Sequence, residues 1–324
     1  MPEQPILPDA LALGPGGLEL DGVSLADVAR RHGTPVYVYG AATLRRRLAE
    51  LRAALLSTGA PFHLHHAMRG CRFGPVLELM RQERDVAIDA CSTREVDRAL
   101  AAGFAPAEIS VTASMLSNRE LRHLAGRRVH LNVDTRSAVR RWAAICGPGH
   151  AVGLSLAGAT FGFGPETALA AAAQAASMGI AVDQLHVSAG ADLPASAAPL
   201  LAATFARLAA VARAIPTVRT LHVSGGLCWR QRPEDEPLSP AIWAELLRVH
   251  LAPTSCALAC DPGAFFAASS GVLLADAGTE EARPGPRHPR LDGGGPMAVY
   301  AASAHRSHAP SGPSLRAAPA EVLV

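Results

Sequence analysis

Lysine is absent from all 324 residues, so every one of the 30 basic side chains is an arginine. The chain therefore has no side-chain primary amine, and no lysine nitrogen can capture a carbonyl carbon. Cys-x-x-Cys pairs are missing too: Cys71, Cys91, Cys146, Cys228, Cys256 and Cys260 are scattered, which argues against a disulfide scaffold and for a reducing, cytoplasmic setting. No basic segment followed by an apolar run opens the chain, and no stretch of roughly 18 apolar residues is free of charge, so neither export nor membrane insertion is expected. Acidic residues number 28 and are interspersed with the arginines, which leaves no electrostatic footprint for nucleic acid. A Gly-x-Ser-x-Gly elbow, a Walker loop, a His-Glu-x-x-His helix and a dinucleotide fingerprint are all absent.

What is present is the composition of a soluble globular protein, 49% apolar and 18% charged, long enough for one barrel of roughly 250 residues and a smaller module. Short runs of β character recur between helical patterns: 61–67, 86–90, 109–112, 129–134, 151–156, 184–188, 220–224 and 256–260. The intervening segments 44–55, 94–102, 168–177 and 200–214 carry apolar residues at helical spacing. Eight strand–helix units predict an α/β fold, a (β/α)8 TIM-type barrel with parallel strands. The expected division is an N-terminal segment at 1–36 that packs with a β-module, a barrel over 37–275, and a truncated β-module with a flexible tail over 276–324, where proline, glycine and charge accumulate.

The stretch Ala67-Met-Arg-Gly-Cys-Arg-Phe-Gly-Pro-Val-Leu77 resembles the A-[MV]-K-A-N-R-F-x-P-V-L strand end of diaminopimelate and ornithine decarboxylases. The likeness continues through Asp89-Ala-Cys-Ser-Thr-Arg-Glu-Val96, Asn132-Val-Asp-Thr-Arg-Ser137, Thr160-Phe-Gly-Phe-Gly164, Leu185-His-Val-Ser-Ala-Gly190, Val223-Ser-Gly-Gly226, Asp261-Pro-Gly263 and Leu291-Asp-Gly-Gly294. On these motifs the chain is similar to the fold-type III, alanine-racemase-like decarboxylases that use pyridoxal phosphate. The resemblance implies a carboxy-lyase, a homodimer or a heteromer with a related subunit, and a small anionic or amino-acid-like ligand.

It also places Arg69 where the Schiff-base lysine belongs. A guanidinium stays protonated and its delocalised nitrogens are poor nucleophiles, so the resemblance implies pyridoxal phosphate while the residue present excludes its covalent attachment. Other departures accompany it. Asp261 falls on the glutamate that meets the pyridine nitrogen, Ala264 and Ala191 on phosphate ligands, Ser155 on a barrel arginine, and Cys71 on an asparagine. Carried over as cofactor-binding positions are Asp89, His186, Gly225, Gly226, Asp261 and Gly263, with the glycine pair read as a backbone cradle for phosphate. The family's C-terminal Cys-Glu-x-x-Asp stretch is not found after Leu274, hence the expected reduction of the β-module.

Two further constellations stay open. His63 and His65 alternate on one strand, and with His186 and His222 they form a candidate metal or haem site. Cys71, with Cys91, is a candidate nucleophile if Arg69 lowers its pKa. The leading expectation is a pseudoenzyme without decarboxylase activity that keeps an anion pocket or a partner-subunit role. The alternatives are a repurposed metal or haem enzyme and a slow decarboxylase with noncovalent pyridoxal phosphate.

Overall fold

The computed structural model describes residues 10–276 apart from 84, 160, 161, 192 and 231–234. The β-module and tail expected after Leu274 therefore lie outside the described residues from 277 onward. Two compact units emerge.

The first unit contains the described residues up to Arg46, Arg230 and Asp235, and those from Ala268. Strands β1 (Leu11–Gly14), β2 (Gly17–Leu20) and β3 (Val23–Ser24) form an antiparallel sheet, and helix α1 (Leu25–His32) follows with Ser24 as its N-cap. Strand β4 (Val36–Tyr39) pairs antiparallel with Gly271–Leu274, so neither segment is a barrel strand. Ala10, Leu20, Leu25 and Leu274 are the buried core of this unit.

The second unit is the barrel expected from the strand–helix alternation. Its strands are β5 (Phe62–Ala67), β6 (Val86–Ala90), β7 (Ile109–Thr112), β8 (His130–Val133), β9 (Ala151–Leu156), β10 (Ala181–Gly190), β11 (Thr220–Gly225) and β12 (Ala257–Asp261). Each pairs in parallel with the next, and β12 closes on β5. Several helices start on capping residues that the sequence supplies at the ends of the strand–helix loops. Ser92 accepts from Glu95 N (3.3 Å), Ser117 from Glu120 N (3.3 Å), Thr135 from Ala138 N (3.1 Å) and Ser239 from Ile242 N (3.2 Å). Helix Ala198–Ala214, with the turn before it, is long and apolar enough to cross a membrane, yet it carries Arg207 and Arg213, and Leu201, Phe205, Leu208 and Ala212 are buried.

Alternation along the strands sorts residues by chemistry. Leu64, Ile88, Val111, Leu131, Leu154, Leu185, Leu221 and Leu258 share the outer parity and are buried. The inner parity is polar where barrels of this class usually carry branched apolar residues. Register sets Asp89 opposite Ser110, Thr112 opposite Asn132, Ser155 opposite His186, His186 opposite His222, and Ser224 opposite Asp261. A polar interior is stable when its groups are hydrogen-bonded to one another, and here most are, with His222 Nε2 and His130 Nδ1 as exceptions. Gln184 Nε2 donates to Asn132 Oδ1 at 3.0 Å, and Asn132 Nδ2 to Thr112 Oγ1 at 3.0 Å.

Room for Asn132 comes from Gly153, its register partner on β9, where an added Cβ would collide with Asn132 Oδ1. Gly153→Ala is expected to displace that amide and lower stability by about 1–3 kcal/mol, read as a shift in the urea midpoint.

Candidate functional site

Asp89 on β6 and Asp261 at the end of β12 are both 0% exposed, whereas the Arg69 side chain beyond β5 is 40% exposed. Arg69 Nη1 donates to Asp89 Oδ2 at 2.5 Å, and Nη2 lies 3.1 Å from both oxygens of Asp261. The guanidinium bridges two carboxylates from opposite sides of β5, a geometry open to a planar fork and not to a point charge. Burial disfavours the charged Arg69, but Asp261 and Asp89 outweigh it and its pKa rises further. Burial also opposes the Asp261 anion, yet Arg69 and His222 hold its carboxyl well below the usual range. Asp89 moves the other way: burial and the neighbouring Asp261 charge push it up to about 7.

A directed chain of hydrogen bonds ends on Asp261. Because Asp261 is held as an anion it only accepts, so Ser224 Oγ donates to its Oδ2 at 2.9 Å. The lone pairs of Ser224 then accept from His186 Nε2–H at 2.9 Å, and His186 Nδ1 accepts from Ser155 Oγ–H at 2.8 Å. The tautomer of His186 follows from this polarity. Burial and His222 lower its pKa to about 3, as they do for His65. His222 sits centrally, 5.0 Å from the His65 ring and 5.2 Å from that of His186. For His222 burial is outweighed by Asp261 and Asp89, and its pKa rises.

The carried-over positions are therefore brought together, but not all in the expected roles. Asp89, His186 and Asp261 join one network with Arg69. The glycine pair is engaged by the protein itself: Gly225 N points to Asp261 Oδ1 (3.3 Å), and Gly226 N donates to Gly190 O (2.8 Å). Both glycines lie at positive φ, where added Cβ atoms would meet Gly190 O and the Trp243 indole, so close internal packing already accounts for them. Gly263 opens helix Gly263–Ala267, where an added Cβ would come within 2.9 Å of Ala67 Cβ.

Of the four candidate histidines the barrel brings His65, His186 and His222 together, but not His63. His63 is exposed at the start of β5, and both ring nitrogens of His186 are occupied by serines. Among the described residues the group whose ligand atoms lie within 4.8 Å of one another is Asp89, His222 and Asp261. The cysteines also depart from expectation. Cys71 is buried with its carbonyl accepting from the His66 ring at 2.8 Å, and burial and Glu95 push the Cys91 thiol up to about 11. At Cys91 burial first, and Glu95 second, outweigh the lowering by Arg72 and Arg69.

Ser110, Thr112 and Gln184 lie outside the motifs, and Asn132 and Ser224 lie within them but were given no role of their own. Their signal was a polar residue on the inner parity of each strand, legible only once the register is known.

Eight parallel strands with a polar cluster toward their C-terminal ends define the barrel class in which functional groups gather at that face. The sequence pattern described as "Pyridoxal-dependent decarboxylase, pyridoxal binding domain" matches residues 41–268, and the chain belongs to that family. It is similar to diaminopimelate decarboxylase of Streptomyces coelicolor, 33% identical over 154 residues, which are 46% of this chain and 31% of that protein. The Bacillus subtilis diaminopimelate decarboxylase is 32% identical over 107 residues, 33% of this chain and 24% of its own length. The chain thus spans about a third or less of these curated relatives.

Among solved structures, diaminopimelate decarboxylase from M. jannaschii in co-complex with L-lysine superposes with a TM-score of 0.76 at 17% identity, covering 89% of this chain and 74% of that one. Lysine/ornithine decarboxylase complexed with cadaverine from Vibrio vulnificus gives 0.75 at 18% identity, with 87% and 76% covered. These likenesses establish the barrel fold.

The titrations predict acid sensitivity. His65, His66 and His186 have lowered pKa values, so they are neutral when folded but protonated in the unfolded chain below about 6.5. Their stabilisation is complete above that pH and is lost as pH falls, towards about 3 for His65 and His186. Asp89, raised to about 7, opposes them by one proton, because the folded state keeps a proton that the unfolded chain releases above its ordinary value of 3.8, and His222, whose pKa is raised, opposes them near 6.5. Between pH 6.5 and 4.5 the unfolded state therefore takes up the excess, and urea-unfolding stability is expected to drop by roughly 1–3 kcal/mol per pH unit. A flat or rising profile would contradict this assignment.

Proposed function

We propose that this chain is a non-decarboxylating member of its family, acting as a subunit beside a second copy or a related chain. Supporting this most directly is Arg69, which stands where the resemblance puts the cofactor's lysine and is bound by Asp89 and by Asp261. The residues present do not fit covalently held pyridoxal phosphate. That group needs a primary amine, and the chain has none on any side chain. It needs a partner for its ring nitrogen, and the carboxylate assigned to that task is committed to Arg69 and Ser224. It needs phosphate donors, and the Gly225 and Gly226 amides face Asp261 and Gly190.

The same contacts weigh against an anion pocket at Arg69. An incoming anion would have to displace two buried carboxylates from a bidentate cation and leave them uncompensated, a cost of several kcal/mol. A partner-subunit role does not require that exchange.

Incubation of the purified chain with pyridoxal phosphate and borohydride, followed by peptide mass mapping, is expected to find no pyridoxyl mass on any side chain. Diaminopimelate, ornithine, lysine and arginine are expected to release no more carbon dioxide with the chain than with pyridoxal phosphate alone. An adduct on an internal peptide, or rapid release, overturns the reading.

A further inference from the structure

Asp89, His222 and Asp261 come from three different strands, β6, β11 and β12, and are all fully buried. Two carboxylates from β6 and β12 face one guanidinium, whose own side chain is 40% exposed and reaches the cluster from a loop. His222 adds a second, independent feature. Its Nε2 is buried without a hydrogen-bond partner and is aimed at the same cluster, 3.5 Å from Asp261 Oδ2. A buried imidazole nitrogen left unpaired is costly, and an orphan directed at two carboxylates marks the place of an electrophile.

We propose that Asp89, His222 and Asp261 are the ligands of a divalent cation, and that Arg69 occupies the cation's place when no ion is bound. The geometry needs little change. Ligand atoms of the three residues lie within 4.8 Å of one another, against about 3.4 Å between neighbouring ligands of a tetrahedral ion with bonds of about 2.1 Å. The His222–Asp261 separation of 3.5 Å already meets that spacing.

Arg69 lies at the exposed rim and can swing into water without breaking a strand.

A second shell is in place around each ligand. Thr112 Oγ1 donates to Asp89 Oδ1 at 2.9 Å, and Ser224 Oγ and Gly225 N donate to Asp261. One imidazole with two carboxylates selects zinc or manganese over calcium or a thiophilic ion, and leaves an open coordination position.

This inference rests on the reading above only in that pyridoxal phosphate does not engage the cluster. A borohydride adduct would sink that reading while leaving zinc binding by the cofactor-free chain to be judged on its own.

The test is zinc titration of the full chain by calorimetry. Wild type is expected to take up one ion at this cluster, Arg69→Gln to bind it at least about tenfold more tightly, and His222→Asn at least about tenfold more weakly. Imidazole 15N NMR of the wild-type chain supplies a reading that needs no folded variant: the largest zinc-induced shift should fall on Nε2 of His222 and not on His65 or His186. Equal affinities in all three chains, no binding by Arg69→Gln, or a largest shift on another histidine would each overturn the site.

Discussion

Two carboxylates with no access to water and one arginine between them set the terms for the rest of the barrel. An ionised side chain transferred alone into a protein interior costs several kcal/mol, and two like charges side by side cost more. The Arg69 fork relieves this by bonding to both, and the relief is unequal. Asp261 takes two contacts from the guanidinium plus Ser224, while Asp89 receives one together with Thr112. The shifts of the two acids in opposite directions follow from that inequality.

From this pairing the polarity of the interior propagates outward. An anionic Asp261 compels Ser224 to donate, which compels His186 to carry its hydrogen on Nε2 and Ser155 to donate in turn. On the other side Thr112 is committed to Asp89, so it accepts from Asn132, which accepts from Gln184. The barrel is held inside by a connected polar lattice and outside by the apolar parity of the same strands. Removing one member leaves a neighbour unsatisfied in a low-dielectric space, which makes such networks all-or-none in character.

Asp89, His186 and Asp261, which the family resemblance assigns to cofactor binding, are joined with Arg69 in one hydrogen-bonded network. A lysine at position 69 would present a single amine to the two acids; arginine presents a fork that satisfies them both. The change of one residue type thus alters what the surrounding residues have to do. The glycine loop shows the consequence, with its amides directed to Asp261 and to Gly190.

The barrel itself was legible from the chain alone. Runs of β character over 61–67, 86–90 and the six later segments, separated by segments of helical spacing, are local information, and local rules read them correctly. The lack of lysine, and arginine at position 69, were likewise visible without coordinates. Four histidines, by contrast, suggested a shared cavity, and only the fold separated exposed His63 from His222 and showed His186 saturated by serines. Nor did any spacing reveal that Asp89 and Asp261, 172 positions apart by subtraction of their numbers, share one guanidinium. Composition and periodicity encode which face of a strand is wet or dry. Which polar groups meet across the barrel depends on closure and inter-strand register, and those are properties of the assembled sheet.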